Sequence, residues 1–430
     1  MTSLPDSTQV LVVGGGPAGA SSAWHLAKAG LEVTLVDRAH FPRSKPCAEY
    51  ISPEGARILD AMGALDTLEA RHSSALTGME VHAPSGDVIH GEFVAEHGFR
   101  GFRDRGLGVR RETLDALLVD RARAAGVRVV EGVKLESLLM DGALVKGARM
   151  RTTSGMHELR ASLVVGADGL RSVVARRLGL ARSSRWPRRV ALVGHYRNVR
   201  GIGTLGEMHV RTHGYVGLAA VGDGITNVAL VVPRSKAGAM RGDAAAFLEG
   251  WLQADERLRD RFAHAERVSA VQATGPFASR ARRAWADGAV LVGDAADFYD
   301  PFTGEGIYAA LRGGELAAPH VVQAVHAVER GDHREARTAL QQYDTARHGA
   351  FAGKWRVEKL IGAAVAAPWL MNHAARVLGR DRDLADLLVG VTGDFVPPAA
   401  VLAPRTLLRF LWPRRAAQPQ TPPVLHAHRQ

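Results

Sequence analysis

The sequence contains one cysteine, Cys47, in 430 residues. No intrachain disulfide can form, and a small disulfide-built secreted domain is excluded. A structural zinc site built on cysteines is excluded too, and no metal site is expected. Long hydrophobic runs are also missing. No stretch reaches the ~18–20 uninterrupted apolar residues that a membrane-spanning helix needs. Met1 to Gln9 carries Asp6 and neither Lys nor Arg, so it lacks the basic start of a secretory signal, and the expected location is the cytoplasm. No basic-aromatic recognition cluster or zinc knuckle is found, so nucleic acid is not an expected partner. Without H-E-x-x-H, P-loop or G-x-S-x-G patterns, metalloprotease, NTPase and serine hydrolase readings have no support. There is no internal repeat and no second G-x-G-x-x-G.

What is present is ordinary for a globular protein: 46% hydrophobic and 23% charged residues. That balance excludes a disordered chain, a coiled coil and a collagen-like repeat. The length suits two or three domains or one large interlocked unit. Lys plus Arg is 55 and Asp plus Glu is 44, a formal net charge of +11, which favours anionic partners without naming one.

The first forty residues read as a βαβ unit. Gln9 to Val13 is a short apolar run, as expected for a strand buried on both faces. Gly14-x-Gly16-x-x-Gly19 follows, with Pro17 and Ala18 inside it, and a helical segment runs to Lys28 and stops before Gly30. Val33 to Val36 is a second strand, ending at Asp37. The first glycine permits the tight turn, the second lets a pyrophosphate approach the backbone, and the third lets helix and strand pack closely. The helix N-terminus offers N–H groups to phosphates, and a carboxylate at Asp37 can accept hydrogen bonds from ribose hydroxyls. This pattern predicts dinucleotide binding without saying which dinucleotide.

Further on, Leu114 to Ala125 reads as an amphipathic helix closed by Gly126, and Val127 to Val130 as a strand. Ala161 to Val165 is a buried-type strand entering Gly166-Ala-Asp-Gly169. Val190 to Val232 breaks into short runs with Gly and Asp-Gly turns, the pattern of an antiparallel sheet. Ala289 to Val292 is another buried strand, entering Gly293-Asp294, with Asp300-Pro-Phe-Thr-Gly-Glu-Gly306 close behind. Gly306 to Arg330 is predicted helical, as is most of Gln341 to Leu411. Leu360 to Met371 is expected to be a buried helix, being too short to span a bilayer. The tail from Pro413 onward is expected to be disordered.

The three glycine-aspartate elements, in this order and at these distances, resemble the flavoprotein superfamily of p-hydroxybenzoate hydroxylase over most of residues 8–345. The resemblance implies FAD, with Gly14, Gly16, Pro17, Ala18, Gly19, Asp37 and Arg38 at the first turn. It places Asp168-Gly169 near the pyrophosphate, Gly293-Asp294 at the ribityl chain, and Arg111, four residues before Asp115, near the phosphates. A loop of Pro301, Gly304, Glu305, Gly306 and Ile307 would face the isoalloxazine, where helix N–H groups suit the negative charge of a reduced flavin. Phe41 to Pro53 is similar to the K-P-C-G-E-x-x-S-P element of geranylgeranyl reductases, with Ala48 where that element has glycine. It would bring Cys47 and Glu49 near the flavin. Gly214 to Gly222 departs from that branch: Tyr215 is kept, but small residues replace the tryptophan and phenylalanine of its lipid pocket. The W-x-W-x-I-P element of flavin halogenases is absent, which argues against halogenation.

The expected fold is α/β: a Rossmann-type FAD-binding domain (1–75, 105–185 and 276–345) interleaved with an antiparallel-sheet substrate domain (76–104 and 186–275). A C-terminal helical region (346–412) and the tail 413–430 follow. The leading expectation is an NADPH- or NADH-dependent monooxygenase that hydroxylates or epoxidises an apolar or aromatic small molecule, with the nicotinamide a transient reductant. The alternative is an FAD-dependent reductase of carbon–carbon double bonds in a prenylated or polyketide-like lipid, and a remote one is a non-catalytic flavin-binding protein. Cys47, Glu49 and Tyr215 are the candidate catalytic side chains. Val401 to Arg415 mixes leucines with arginines and reads either as a packed helix with a basic end or as a peripheral membrane contact. The expected assembly is a monomer or homodimer.

Overall fold

The computed structural model describes residues 4–95, 98–183, 188–240 and 242–411. Its first layer is a twisted sheet in which Ala289–Leu291, Gly155–Gly166, Ser7–Val13, Val33–Asp37 and Arg128–Glu131 lie side by side in parallel. Val10 sits between Leu163 and Val33, and Val10, Leu11 and Val12 are wholly buried. Continuous apolar runs are what strands covered on both faces require. Gly155–Gly166 is longer than the sequence pattern suggested, because its first half leaves the parallel layer to pair with Leu144–Thr152 as a hairpin.

One face of this sheet carries the helices Pro17–Lys28 and Gly306–Glu329, which press together closely. A Cβ on Gly314 would lie 2.6 Å from the Ser22 nitrogen, and the Ser21 hydroxyl donates to the Leu311 carbonyl at 2.8 Å. Small residues at this crossing bring the starts of both helices to the same edge of the sheet, where the strands end.

The second layer is antiparallel over most of its width. Arg189–Arg197, Ile225–Pro233, Gly214–Ala220 and Leu205–Arg211 are neighbours in that order. The strands Gly78–His82 and Val88–Glu92 extend the sheet, with Leu205–Arg211 running parallel to Gly78–His82. One face of this sheet looks towards the glycine turns of the first layer.

The C-terminal part is helical: His333–Ala366, Pro368–Leu378, Arg382–Thr392, Pro398–Leu402 and Pro404–Leu411. Their apolar faces join a core shared with the second sheet, where Val357, Met371 and Leu384 pack with Met208 and Tyr215. The expectation of one buried helix over Leu360 to Met371 is corrected. Pro368 has no N–H to donate and crowds the preceding turn, so the chain breaks at Ala367 and restarts. Leu360 and Trp369, on either side of the break, are 54% and 72% exposed. No described helix is long and apolar enough to cross a membrane. The tail 413–430, with Trp412, lies outside the described residues.

Candidate functional site

The site grows from the first turn. Gly14 has φ +107°, and a Cβ there would meet the Ala167 carbonyl oxygen at 2.5 Å. A Cβ on Gly19 would lie 1.7 Å from the Gly14 oxygen. Gly16 differs: its Cβ would meet only the guanidinium ends of Arg43 and Arg111, at 3.6 and 3.7 Å. The first and third glycines therefore close the turn, and the second leaves a space bordered by cations. The helix starting at Pro17 has no side-chain cap and no acid in its first turn, so its N–H groups remain available. Asp37 accepts from the Gly15 nitrogen at 2.7 Å and the Ala39 nitrogen at 2.8 Å, one bond to each oxygen, which leaves lone pairs on both. Arg38 is exposed and does not line the cavity beside the turn.

Arg111 is buried, not a solvated surface arginine. Asp115 grips it through bonds of 2.8 and 2.7 Å, and Arg43 binds the same carboxylate at 3.0 Å. Lys45 points into the same space, 3.4 Å from where a Cβ on Gly169 would sit. Burial lowers the Lys45 amine below its ordinary value, as does the nearby Arg111 charge. Burial raises the Asp294 carboxyl, with Lys45 and then Arg111 opposing the rise. A second anion brought among these three cations would be favoured, since Asp115 balances only part of their charge.

From this turn a cavity of about 1430 Å³, its open mouth included, runs between the two sheets. Gly16, Pro17, Ala18, Lys45, Arg111, Gly169 and Asp294 line one end. Pro301, Gly304, Gly306 and Ile307 line its floor, and Cys47, Tyr50, Met79, Met208, Phe277 and Phe298 its far part. Gly304 is left-handed (φ +72°), and a Cβ there would meet the Tyr50 ring at 2.8 Å. Asp168 stands slightly back: one oxygen accepts from the Val173 and Val174 nitrogens at 2.5 and 3.3 Å, and the other is buried without a partner. The unpartnered Asp168 oxygen, the open space over Gly16 and the cation ring fit a dinucleotide with a diphosphate. The glycine-lined floor fits a flat ring beyond it.

Glu49 joins the two layers. Its backbone is left-handed (φ 59°), whereas Ala48, in the place of the branch's glycine, is not. The carboxylate accepts from the Arg111 nitrogen at 2.7 Å on one oxygen. On the other it accepts from the Asn227 amide at 2.9 Å and meets His195 Nε2 at 2.7 Å. The Asn227 amide also donates to the Cys47 carbonyl at 2.9 Å, and His195 Nδ1 rests 3.1 Å from the Ser269 hydroxyl. His195 and Asn227 face each other across neighbouring strands of the second sheet. Glu49 thus serves as a clamp that fixes where Cys47 stands.

Two other expected site residues have structural employment. The Tyr215 hydroxyl donates to Asp300 at 2.9 Å, and Arg189 holds the other Asp300 oxygen at 2.7 Å. Burial, then the Asp300 charge, raises the Tyr215 phenol well above its ordinary value. Tyr215 therefore positions the loop that starts at Asp300. Glu305 turns away from the main cavity to Lys354, 3.0 Å away, in a second, smaller cavity lined also by Glu358. Lys354 pairs with Asp394 as well. The side chain at a helix N-cap leaves the axis, so backbone facing one cavity and a carboxylate facing another is geometrically natural. Gly293 likewise lines the second cavity and not the first. Sequence reading missed Tyr50. Its hydroxyl is buried without a partner among the described residues, on the cavity wall over Gly304. The only signal was its place inside the Phe41 to Pro53 element.

Comparison with known proteins agrees with this geometry. Residues 7–354 match the FAD binding domain family. A digeranylgeranylglycerophospholipid reductase 2 of Methanopyrus kandleri is 29% identical over 402 residues, 91% of this chain and 94% of that one. A 1H-pyrrole-2-carbonyl-[peptidyl-carrier protein] chlorinase of Pseudomonas fluorescens is 25% identical over 343 residues, 74% of this chain and 76% of that one. A solved flavoprotein/dehydrogenase from Cytophaga hutchinsonii shares the fold with a TM-score of 0.77 at 21% identity, covering 93% of this chain and 95% of that one.

Two outcomes are expected. Asp37→Ala removes the acceptor that holds the Gly15 amide and faces the ribose position, so FAD affinity should fall ~10-fold or more, read by flavin fluorescence titration. Burial, then the Glu305 charge, pushes the Glu358 carboxyl up from 4.5 to about 8. A raised acid contributes stability fully below its unfolded value and loses it as pH climbs through the folded value. The melting temperature should therefore fall as pH rises from about 4.5 to about 8 and level off above that, and Glu358→Gln should flatten that fall. A variant with the wild-type pH profile would contradict the assignment.

Proposed function

This chain belongs to the FAD binding domain family of oxidoreductases, in its geranylgeranyl reductase-like branch, and on that premise we propose that it reduces carbon–carbon double bonds in a prenylated or otherwise long apolar molecule. The observation that carries the reading is the far part of the cavity. It is walled by Leu76, Met79, Met208, Leu218, Val231 and Phe298 and runs straight to the glycine floor. An apolar chain laid there would reach the glycine floor that would hold a planar cofactor, with few polar groups needing to be desolvated. The likeness to a lipid reductase along nearly the full length supports the same choice over the monooxygenase that the sequence put first.

Bound FAD, reduced by NADPH or NADH as a transient partner, would supply the hydride. This chain's residues hold the rest in place. The free N–H groups of Ala18 and Gly19 and the Arg43, Lys45 and Arg111 cations would bind the diphosphate. Asp37 takes the ribose and Asp294 the ribityl chain. N–H groups of the Pro301 to Ile307 loop face the ring. Saturating a double bond adds a hydride to one carbon and a proton to the other. Tyr50 holds a proton at the right place: burial, then the Glu305 charge, keeps its phenol well above its ordinary value and so protonated.

Monooxygenation is the second reading, favoured by one observation. Gly217 and Ala219 line the cavity where lipid reductases have tryptophan and phenylalanine, which leaves room for a compact substrate. We further place the protein in the cytoplasm, with peripheral membrane contact through Pro404–Leu411. There Leu407 and Leu408 are 41% and 55% exposed beside Arg405, whereas Thr406 packs inward and Asp381 neutralises Arg409.

The deciding experiment reduces the enzyme with NADPH without oxygen and adds a polyprenyl lipid. The expected result is flavin reoxidation with a gain of two hydrogens per double bond, slowed ~100-fold in Tyr50→Phe. Reoxidation only by oxygen, with a product carrying one extra oxygen atom, would replace this reading with the second. For the membrane contact, co-sedimentation with anionic liposomes should weaken in a Leu407→Glu, Leu408→Glu variant; unchanged sedimentation would reject it.

A further inference from the structure

The outer side of the second sheet carries a repeated pattern. Glu80-x-His82 and Glu207-x-His209 are two copies of E-x-H on adjacent parallel strands, aligned so that Glu207 pairs with Glu80 and His209 with His82. Because side chains alternate along a strand, all four stand on one face. Met208, the position between Glu207 and His209, turns to the other face and lines the main cavity. The two imidazoles stack with centroids 4.3 Å apart and planes 4° from parallel. Each is held by its own glutamate: His209 Nε2 meets Glu207 at 2.9 Å, and His82 Nε2 meets Glu80 at 2.7 Å.

These contacts fix the tautomers. A carboxylate accepts but does not donate, so His209 Nε2 carries the hydrogen and Nδ1 carries the lone pair. His209 is 3% exposed, and its Nδ1 is buried with no partner among the described residues. A buried lone pair without a donor is costly, and native structures rarely leave one so. Glu207 also pairs with Arg261 at 2.5 and 2.8 Å, so its charge is already balanced and its role is to orient the ring.

We propose that His82 and His209 form a site for a divalent transition metal of the zinc, nickel or copper class. One donor atom from each of His82, Glu207 and His209 lies within 4.8 Å of the others, so turning the rings out of their stack would bring both imidazoles onto one ion with Glu207 behind His209. Neutral imidazole is the ligand these ions share, and a glutamate behind a ligating histidine is the outer partner that orients it. The groove above, lined by His213, Trp251, Asp255 and Arg257, gives the ion access to solvent and water ligands. The sequence reading expected no metal site; 127 positions separate His82 from His209, and only strand pairing brings the two E-x-H copies together.

The test is calorimetric titration of the full-length chain with zinc, in a background of His426→Ala and His428→Ala so that the tail's H-A-H does not compete. One zinc per chain is expected. Affinity should fall at least ~10-fold in His82→Ala and in His209→Ala. His82, the less buried of the two, provides the variant least prone to misfolding, and a melting curve without metal confirms its fold. Absence of zinc binding in the background, or equal binding after His82→Ala, would overturn the proposal. Neither result depends on flavin or on substrate.

Discussion

The arrangement depends on one carboxylate. Glu49 ties the glycine-turn layer and the second sheet by charge-assisted bonds to one side chain. It holds the Arg111 backbone on one side and His195 with Asn227 on the other. A left-handed backbone at a residue with a side chain costs of order 1–3 kcal/mol. Hydrogen bonds to a charged group return about 1.5–3 kcal/mol each, so the clamp more than offsets that strain. Its consequences are positional. With Glu49 fixed, Cys47 and Tyr50 on either side of it are fixed on the cavity wall, and Arg111 is turned with its guanidinium toward Asp115 and the glycine turn.

A second constraint fixes the floor. Asp300 takes hydrogen bonds from Tyr215 and Arg189 of the substrate sheet and caps the turn that leads to Gly304. The loop that would face a flat ring is thereby fastened to the second sheet. Floor and wall are both referenced to the same sheet, so the distance between a bound ring and an apolar chain is set by main-chain geometry rather than by flexible side chains. Charge is sorted along the cavity as well. Cations gather at the glycine turn, and the far end is nearly all apolar. That gradient suits a ligand with an anionic middle and a substrate with no charge near the reacting bond.

How much of this was legible in the sequence follows the range of the interactions. The βαβ opening, Asp37 and the buried strands at Ala161 and Ala289 are local patterns of period and turn chemistry, and they appear where expected. The antiparallel grammar from Val190 to Val232 was equally plain. Arg111 was identified by resemblance, but its burial comes from Asp115 one helical turn away and Arg43 far before it. What escaped depends on contacts between residues 85 or more positions apart: Glu49 with His195, Tyr215 with Asp300, His82 with His209. Glu305 illustrates the limit at short range, since its position in the loop was evident but the direction of its side chain was set by Lys354 on another helix. Tyr50 was within a quoted element, yet nothing local distinguishes a tyrosine with a free hydroxyl from a packed one.

The geometry places FAD in the cavity between the sheets, with its diphosphate at Gly16. The most direct measurement is the absorbance spectrum and flavin content of the purified full-length chain after incubation with FAD and removal of the excess. The expected result is a protein-bound flavin spectrum and one FAD per chain. A folded chain that retains no flavin would contradict that placement.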